Sequence, residues 1–148
     1  MIGDHAFYHC AMENIVLPDS LTTIGLEAFT YNPYLRTLFV GSGLLSWGGY
    51  DFDGAIALES LTVEATAAIQ SCDFPSLRSL RLGSGVKRIE SGAFTKCPLL
   101  TFVYIPANVT SIADDAFVIT EQLVIHGSAG SAAEAYAIKH GIRFVAEP

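Results

Sequence analysis

Apolar residues recur along this chain in one asymmetric spacing. Taking Ile89 as the origin, they follow five, eleven, fourteen and sixteen places later, at Phe94, Leu100, Val103 and Ile105. The same offsets from Ile24 reach Phe29, Leu35, Leu38 and Val40, and from Trp47 they reach Phe52, Leu58, Leu61 and Val63. A fixed period repeated in independent windows predicts a solenoid, in which each coil buries its flanks against its neighbours.

Three further windows follow the pattern with local deletions. Coil one starts at Ile2, with Phe7 and then Met12, Ile15 and Leu17; coil four starts at Ile69, with Phe74, Leu77, Leu80 and Leu82. Coil six starts at Ile112, with Phe117, Leu123 and Ile125. Within each coil, Leu-x-x-Leu-x-Val predicts a short strand whose side chains alternate in and out. Pro18, Gly41, Gly83 and Pro106 end the strands at one common slot. A second extended piece leads to the next start, and a Gly-x-x-Ala-Phe segment after it predicts a turn of helix. Six of the nine phenylalanines (Phe7, Phe29, Phe52, Phe74, Phe94, Phe117) share one column. Stacked, they form an aromatic core in which each ring contributes about 1.5–3 kcal/mol by burial. After Ile125 the pattern stops. Ser131-Ala132-Ala133-Glu134 has capping-box spacing and opens a helix to His140, Gly141 ends it, and Ile142–Val145 reads as a strand. The expected fold is α/β: a right-handed solenoid of six turns over residues 1–126, with a helix–strand cap over 127–148.

The segments Leu99–Pro106 and Ile89–Cys97 resemble the turn of BspA-like leucine-rich repeats: Leu-x-x-Leu-x-Leu-Pro, then Ile-Gly-x-x-Ala-Phe-x-x-Cys. Ile24–Phe29 is similar too, as is the ending Ala133–Ala137 followed by Gly141–Phe144. Coil four is short, Trp47 replaces the aliphatic start, and Asp51 and Asp73 stand where the family has Ala before Phe. The resemblance implies a leucine-rich-repeat solenoid from a secreted or cell-surface protein of a bacterium or a parasitic protist. It also implies non-enzymatic adhesion to a protein or glycan partner.

Composition narrows the alternatives. The chain has 148 residues, is 51% hydrophobic and only 16% charged, and has a mean hydropathy of +0.41, as expected where most coils are covered on both flanks. No apolar run approaches the roughly 20 residues of a membrane span. A net charge of −7 argues against nucleic acid or an anionic membrane surface as the main partner. Met1–His5 shows no basic and apolar segments of a secretion signal. Three cysteines do not make a closed disulfide framework.

Residue types with catalytic or metal-binding chemistry do not assemble into a motif. Cys10 and Cys97 follow the column Phe by three places, where coil two has Asn32; this predicts a ladder position that satisfies loop backbone, not a metal site with Cys72. His5, His9, His126 and His140 lie towards the two ends, and Gly127–Ser131 only superficially suggests a nucleophile elbow. Gly83-Ser84-Gly85-Val86-Lys87 lacks phosphate-loop spacing, and neither Asp51–Gly54 nor Asp114-Asp115 has EF-hand spacing. Asn108-Val109-Thr110 is a glycosylation sequon. No cofactor or metal and no enzymatic activity are expected.

The outer face of the strands is more informative. One column, Glu13, Arg36, Glu59, Arg78, Thr101, alternates in sign and predicts an ion ladder. The next reads Val16, Phe39, Thr62, Arg81, Tyr104, Val124, with Phe102 beside Tyr104. Exposed aromatics around an arginine have the composition of a protein-binding hot spot, which makes Phe39, Arg81, Phe102 and Tyr104 the candidate contact residues. Five of the eight basic residues (Arg78, Arg81, Lys87, Arg88, Lys96) also fall in one stretch. The alternative is a spacer or self-assembly module that stacks through its first coil, for which the sequence fixes no oligomeric state.

Overall fold

Alternating Leu, Ile and Val give each coil a strand with one row facing inward. The computed structural model describes residues 1–45, 49–65 and 71–148; the coil starts Trp47 and Ile69 lie outside them. In chain order the strands are β1 (Asn14–Leu17), β2 (Thr37–Val40), β3 (Ser60–Val63), β4 (Ser79–Leu82), β5 (Arg88–Ile89), β6 (Phe102–Ile105), β7 (Ser111–Ile112), β8 (Val124–Gly127) and β9 (Arg143–Ala146). Seven of them form one parallel sheet in the order β1-β2-β3-β4-β6-β8-β9, while β5 and β7 pair in a second ladder. Ile15, Leu38, Leu61, Leu80, Val103 and Ile125 lie abreast as the inward row. Among the described residues the architecture is a solenoid of parallel strands with one short α-helix.

The phenylalanine column sits behind this sheet. Phe7 stacks on Phe29 and Phe29 on Phe52 at centroid separations of 5.2 Å, and Phe94 stacks on Phe117 at 5.3 Å. Phe52, Phe74 and Phe94 are fully buried. Phe7 departs from the expected core position: it is 40% exposed, because one side of its ring has no coil against it.

The Gly-x-x-Ala-Phe segments are not the predicted turn of helix. Ala28 N–H donates to Gly25 O and Thr30 N–H to Glu27 O, so consecutive tight turns replace helical bonding. Left-handed backbone at His5, His9, Glu27 and Tyr31 prevents the helix from continuing. The glycines Gly92 and Gly54 occupy the equivalent slots with φ of 70° and 81°. Alternate N–H groups then point to the next coil, as in Phe7 to Ala28 O (2.8 Å), Phe29 to Asp51 O (3.2 Å) and Phe94 to Ala116 O (2.7 Å). Among the described residues, a 3-10 turn forms in this segment at Gly49–Phe52.

Glycine at the head of the segment reflects close approach of coils. A Cβ on Gly25 would lie 2.4 Å from the backbone nitrogen of Asp4 in coil one, whereas a Cβ on Gly3 would meet nothing within 4 Å.

The helix and strand that the sequence predicts after Ile125 both form. Helix α1 (Ala132–His140) is capped by Ser131, whose Oγ accepts from Glu134 N–H, while Glu134 Oε2 accepts from Gly130 N–H at 2.6 Å. Gly141 ends it at φ 66°, and Ile142 N–H returns to Ala137 O at 2.9 Å. Tyr136 packs edge-on against Phe117 at 5.9 Å and donates its hydroxyl proton to Asp114 O. β9 then pairs with β8 and extends the sheet.

Candidate functional site

Residues one and three of each strand point outward, so pairing in register builds two exposed columns. One runs Asn14, Thr37, Ser60, Ser79, Phe102, Val124, Arg143; the other runs Val16, Phe39, Thr62, Arg81, Tyr104, His126, Val145. This corrects the expected alignment of coil six, which sets Val124 beside Tyr104. His126 takes that position, and Val124 lies beside Phe102. The reason lies at the strand's end. Gly127 pairs with Ile105, and a Cβ there would lie 2.6 Å from the Ile105 backbone oxygen, with Ala133 Cβ and Phe144 Cε2 of the cap next at 3.4 and 3.7 Å, so the slot that a side chain fills elsewhere takes a glycine. A register read from apolar residues passes over a glycine in that slot.

Of the four candidate residues, three come together. The Arg81 guanidinium carbon lies 4.7 Å from the Tyr104 ring centroid and 5.6 Å from that of Phe102, within cation–π range of both. Phe39 lies on the same face but two strands away, with Thr62 between it and Arg81. The face gains two groups that the sequence reading missed. His126 packs on Phe102 at 4.4 Å, and its Nδ1 is 2.9 Å from Glu147 Oε1. Phe102, Tyr104 and His126 are half-buried and Arg81 is exposed.

The adjoining column is joined through its backbone, with Arg36 N–H donating to Glu13 O, Glu59 to Arg36 O, Arg78 to Glu59 O and Thr101 to Arg78 O, but the expected ion ladder reduces among the described residues to one pair. Arg36 Nη1 and Glu59 Oε1 pair at 2.8 Å, an exposed contact of about 0–1 kcal/mol. The run of basic residues, by contrast, is dispersed by the coil. Arg81 lies on β4 and Arg88 on β5 beside Glu90 (3.4 Å); Lys96 pairs with Asp73 (3.1 Å), and Lys87 donates to Ser84 O (3.3 Å).

Other chemistry-bearing residues serve the stack. Asn32 is buried, and its Nδ2 donates to Phe7 O at 3.0 Å and Phe29 O at 2.7 Å, so one side chain ties two coils. In coil five, Cys97 holds that slot with its thiol 3.8 Å from Cys72 O; burial pushes its pKa up to about 11 and raises that of Cys72 as well. Both thiols are therefore held protonated, a poor state for a nucleophile. Gly83–Lys87 is a tight turn whose Ser84 and Val86 carbonyls accept from Asn108 Nδ2 at 2.8 and 2.7 Å. The sequon asparagine is thus a rung of the ladder. Asp114 pairs with Lys139 and faces His140 Nε2 at 3.6 Å, and the Lys139 hydrogen bond holds its carboxyl below the usual range. Asp115 accepts from Ser91 Oγ at 2.7 Å. Among the described residues, no group of three metal-ligating side chains gathers, and no helix is long and apolar enough to cross a membrane.

Comparison with known proteins agrees with this architecture. The family model for the BspA type leucine rich repeat region matches residues 1–124 in six copies. No curated protein matches the chain in sequence. Among solved structures, the pneumococcal vaccine antigen PcpA is similar over 95% of this chain and 44% of its own, with 16% identity and a TM-score of 0.58. A leucine rich cell surface protein from Faecalibacterium prausnitzii is similar over 98% of this chain and 50% of its own, with 20% identity and a TM-score of 0.54. The chain therefore spans half or less of the length of these two solved proteins, and at such identities the likeness concerns the fold. With six repeats matched and the strands stacked in parallel register, the chain belongs to the BspA-type leucine-rich repeat family.

Proposed function

We propose that this chain is a non-enzymatic recognition module of a cell-surface or secreted protein, with residues 1–126 as the repeat array and 127–148 as its cap. It engages a protein or glycan partner through the outer face of its main sheet, at Phe39, Arg81, Phe102 and Tyr104. The observation that carries this reading is Arg81 lying over two half-buried rings on a rigid parallel sheet. Aromatic side chains and arginine on a preorganised surface lose little conformational freedom on binding, which is why they dominate interface energetics. The two solved relatives, a vaccine antigen and a cell surface protein, support a surface location. The test is binding to a panel of purified extracellular-matrix proteins and glycans. Replacing Phe39 and Phe102 with Ala and Arg81 and Tyr104 with Ser should abolish binding while the circular dichroism spectrum is unchanged. Undiminished binding to every partner found contradicts the reading.

A second reading, a spacer or self-assembly module, is favoured by the exposed rim of coil one, where Met1 is 91% and Phe7 40% exposed. It predicts particle growth with concentration in light scattering, abolished by Ile2→Asp or Phe7→Asp.

A further inference from the structure

The cations of this chain divide sharply by position. Arg36 pairs with Glu59, Arg88 with Glu90, Lys96 with Asp73 and Lys139 with Asp114, while Lys87 donates to a backbone carbonyl. Among the described residues no carboxylate pairs with Arg78, Arg81 or Arg143, and all three are exposed. These three lie on one side of the molecule. Arg78 immediately precedes β4, Arg81 is the third residue of β4, and Arg143 opens β9 in the column of Phe102 and Val124. Of the nearby acids, Glu59 pairs with Arg36, and Glu147 Oε1 lies 2.9 Å from His126 Nδ1.

A chain of net charge −7 thus leaves three arginines without a carboxylate on one sheet face, Arg81 against Phe102 and Tyr104 and Arg143 across β6 and β8 from it. Arg81 is exposed over the Tyr104 and Phe102 rings, and among the described residues no hydrogen bond or ion pair takes up its guanidinium N–H groups. A guanidinium with free N–H groups receives an oxyanion in bidentate fashion. Val124 and Val145, in the same outward columns, provide apolar ground beside the charges.

We propose that this stretch of sheet face, from β4 to β9, binds an acidic segment of a partner protein. Carboxylates of the segment seat on Arg81, Arg78 and Arg143, and its apolar or aromatic side chains pack on Phe102 and Tyr104. This rests on the recognition reading above and narrows its ligand. A peptide is favoured because it offers both the charge and the apolar groups that the patch complements, whereas a sulfated glycan supplies charge with little apolar surface.

The test uses the full chain with three probes in calorimetric titration: a glutamate–tyrosine copolymer, a lysine–tyrosine copolymer and heparin. The glutamate copolymer should bind despite the overall negative charge of the protein, and more weakly as salt rises. Arg81→Gln should weaken it about tenfold or more, and Arg81→Lys by nearly as much, since lysine keeps the charge but loses the stacked fork. Arg78→Gln and Arg143→Gln should each weaken it by a few-fold, whereas Arg88→Gln, at a paired arginine on the second ladder, should leave it unchanged. An unchanged thermal midpoint for each variant shows that the fold is intact. Equal or tighter binding of the lysine copolymer, binding of heparin alone, or indifference to Arg81→Gln overturns the proposal. So does failure of the glutamate copolymer to bind. If the copolymer fails while the fourfold substitution still abolishes binding to a panel partner, the acidic-ligand inference falls and the recognition reading stands.

Discussion

The two ends of the solenoid place the same residue in opposite situations. Phe7 and Phe117 hold one position of the repeat, and each stacks on a neighbour at 5.2–5.3 Å. Phe117 is covered on its other side by Tyr136 of the cap and is 4% exposed, whereas Phe7 is open and 40% exposed. A coil of this kind determines its own strand and turns, but half of every core environment belongs to the adjacent coil. Stability therefore depends on position along the array more than on residue identity.

The largest effect should separate an interior ring from the open one. Phe94→Ala should cost about 3–5 kcal/mol, and Phe7→Ala about 1–2 kcal/mol in proportion to its smaller burial, both read from urea unfolding at constant m-value. Equal losses would mean that neighbours do not supply half of each site. The two glycines make the same contrast in backbone. Gly25→Ala forces a methyl group into coil one and should cost about 1–3 kcal/mol, while Gly3→Ala should stay within about 0.5 kcal/mol of the parent.

Asn32 tests the seam itself. Asn32→Ala leaves the Phe7 and Phe29 carbonyls without this donor and should cost about 1–3 kcal/mol. Asn32→Cys, the residue coil five uses in that slot, should restore only part, because a thiol is a weak donor.

The smallest effect concerns the cap and its pH dependence. The Lys139 hydrogen bond lowers the Asp114 pKa below 3.8, so the folded state binds its proton less readily than the unfolded chain. Its contribution is present above pH 3.8 and is lost as pH falls through the lower folded value. The thermal midpoint of the parent should exceed that of Asp114→Asn at neutral pH, and the gap should close in acid. A gap that widens in acid would contradict the assignment.

Much of the fold was legible because apolar spacing is what the coil buries. The offsets from Ile24 and Ile89 gave the inward row, and the ending Ser131–Gly141 gave the cap with its N-cap serine and left-handed glycine. The turn segment reads as helical in the sequence because nothing marks His5 or Glu27 as left-handed when each is taken alone. The available signal was Gly92, a glycine in Glu27's slot of another coil. The candidate face was legible where strands are regular, so Arg81, Phe102 and Tyr104 were found together. It failed at coil six, where a glycine sits in the inward slot and moves His126 into the column, with Glu147 brought to it by β9. Phe39 shares their composition but not their location, a separation that strand order alone reveals.

The central claim is that each coil is held by its neighbours, and native-state amide hydrogen exchange tests it most directly. The N–H groups of Phe94, Thr101 and Val124, bonded between interior coils, should be the slowest to exchange, with those of Ile2, His5 and Phe7 in coil one much faster although they too are bonded. Protection that is uniform along the chain, or greatest in coil one, would contradict it.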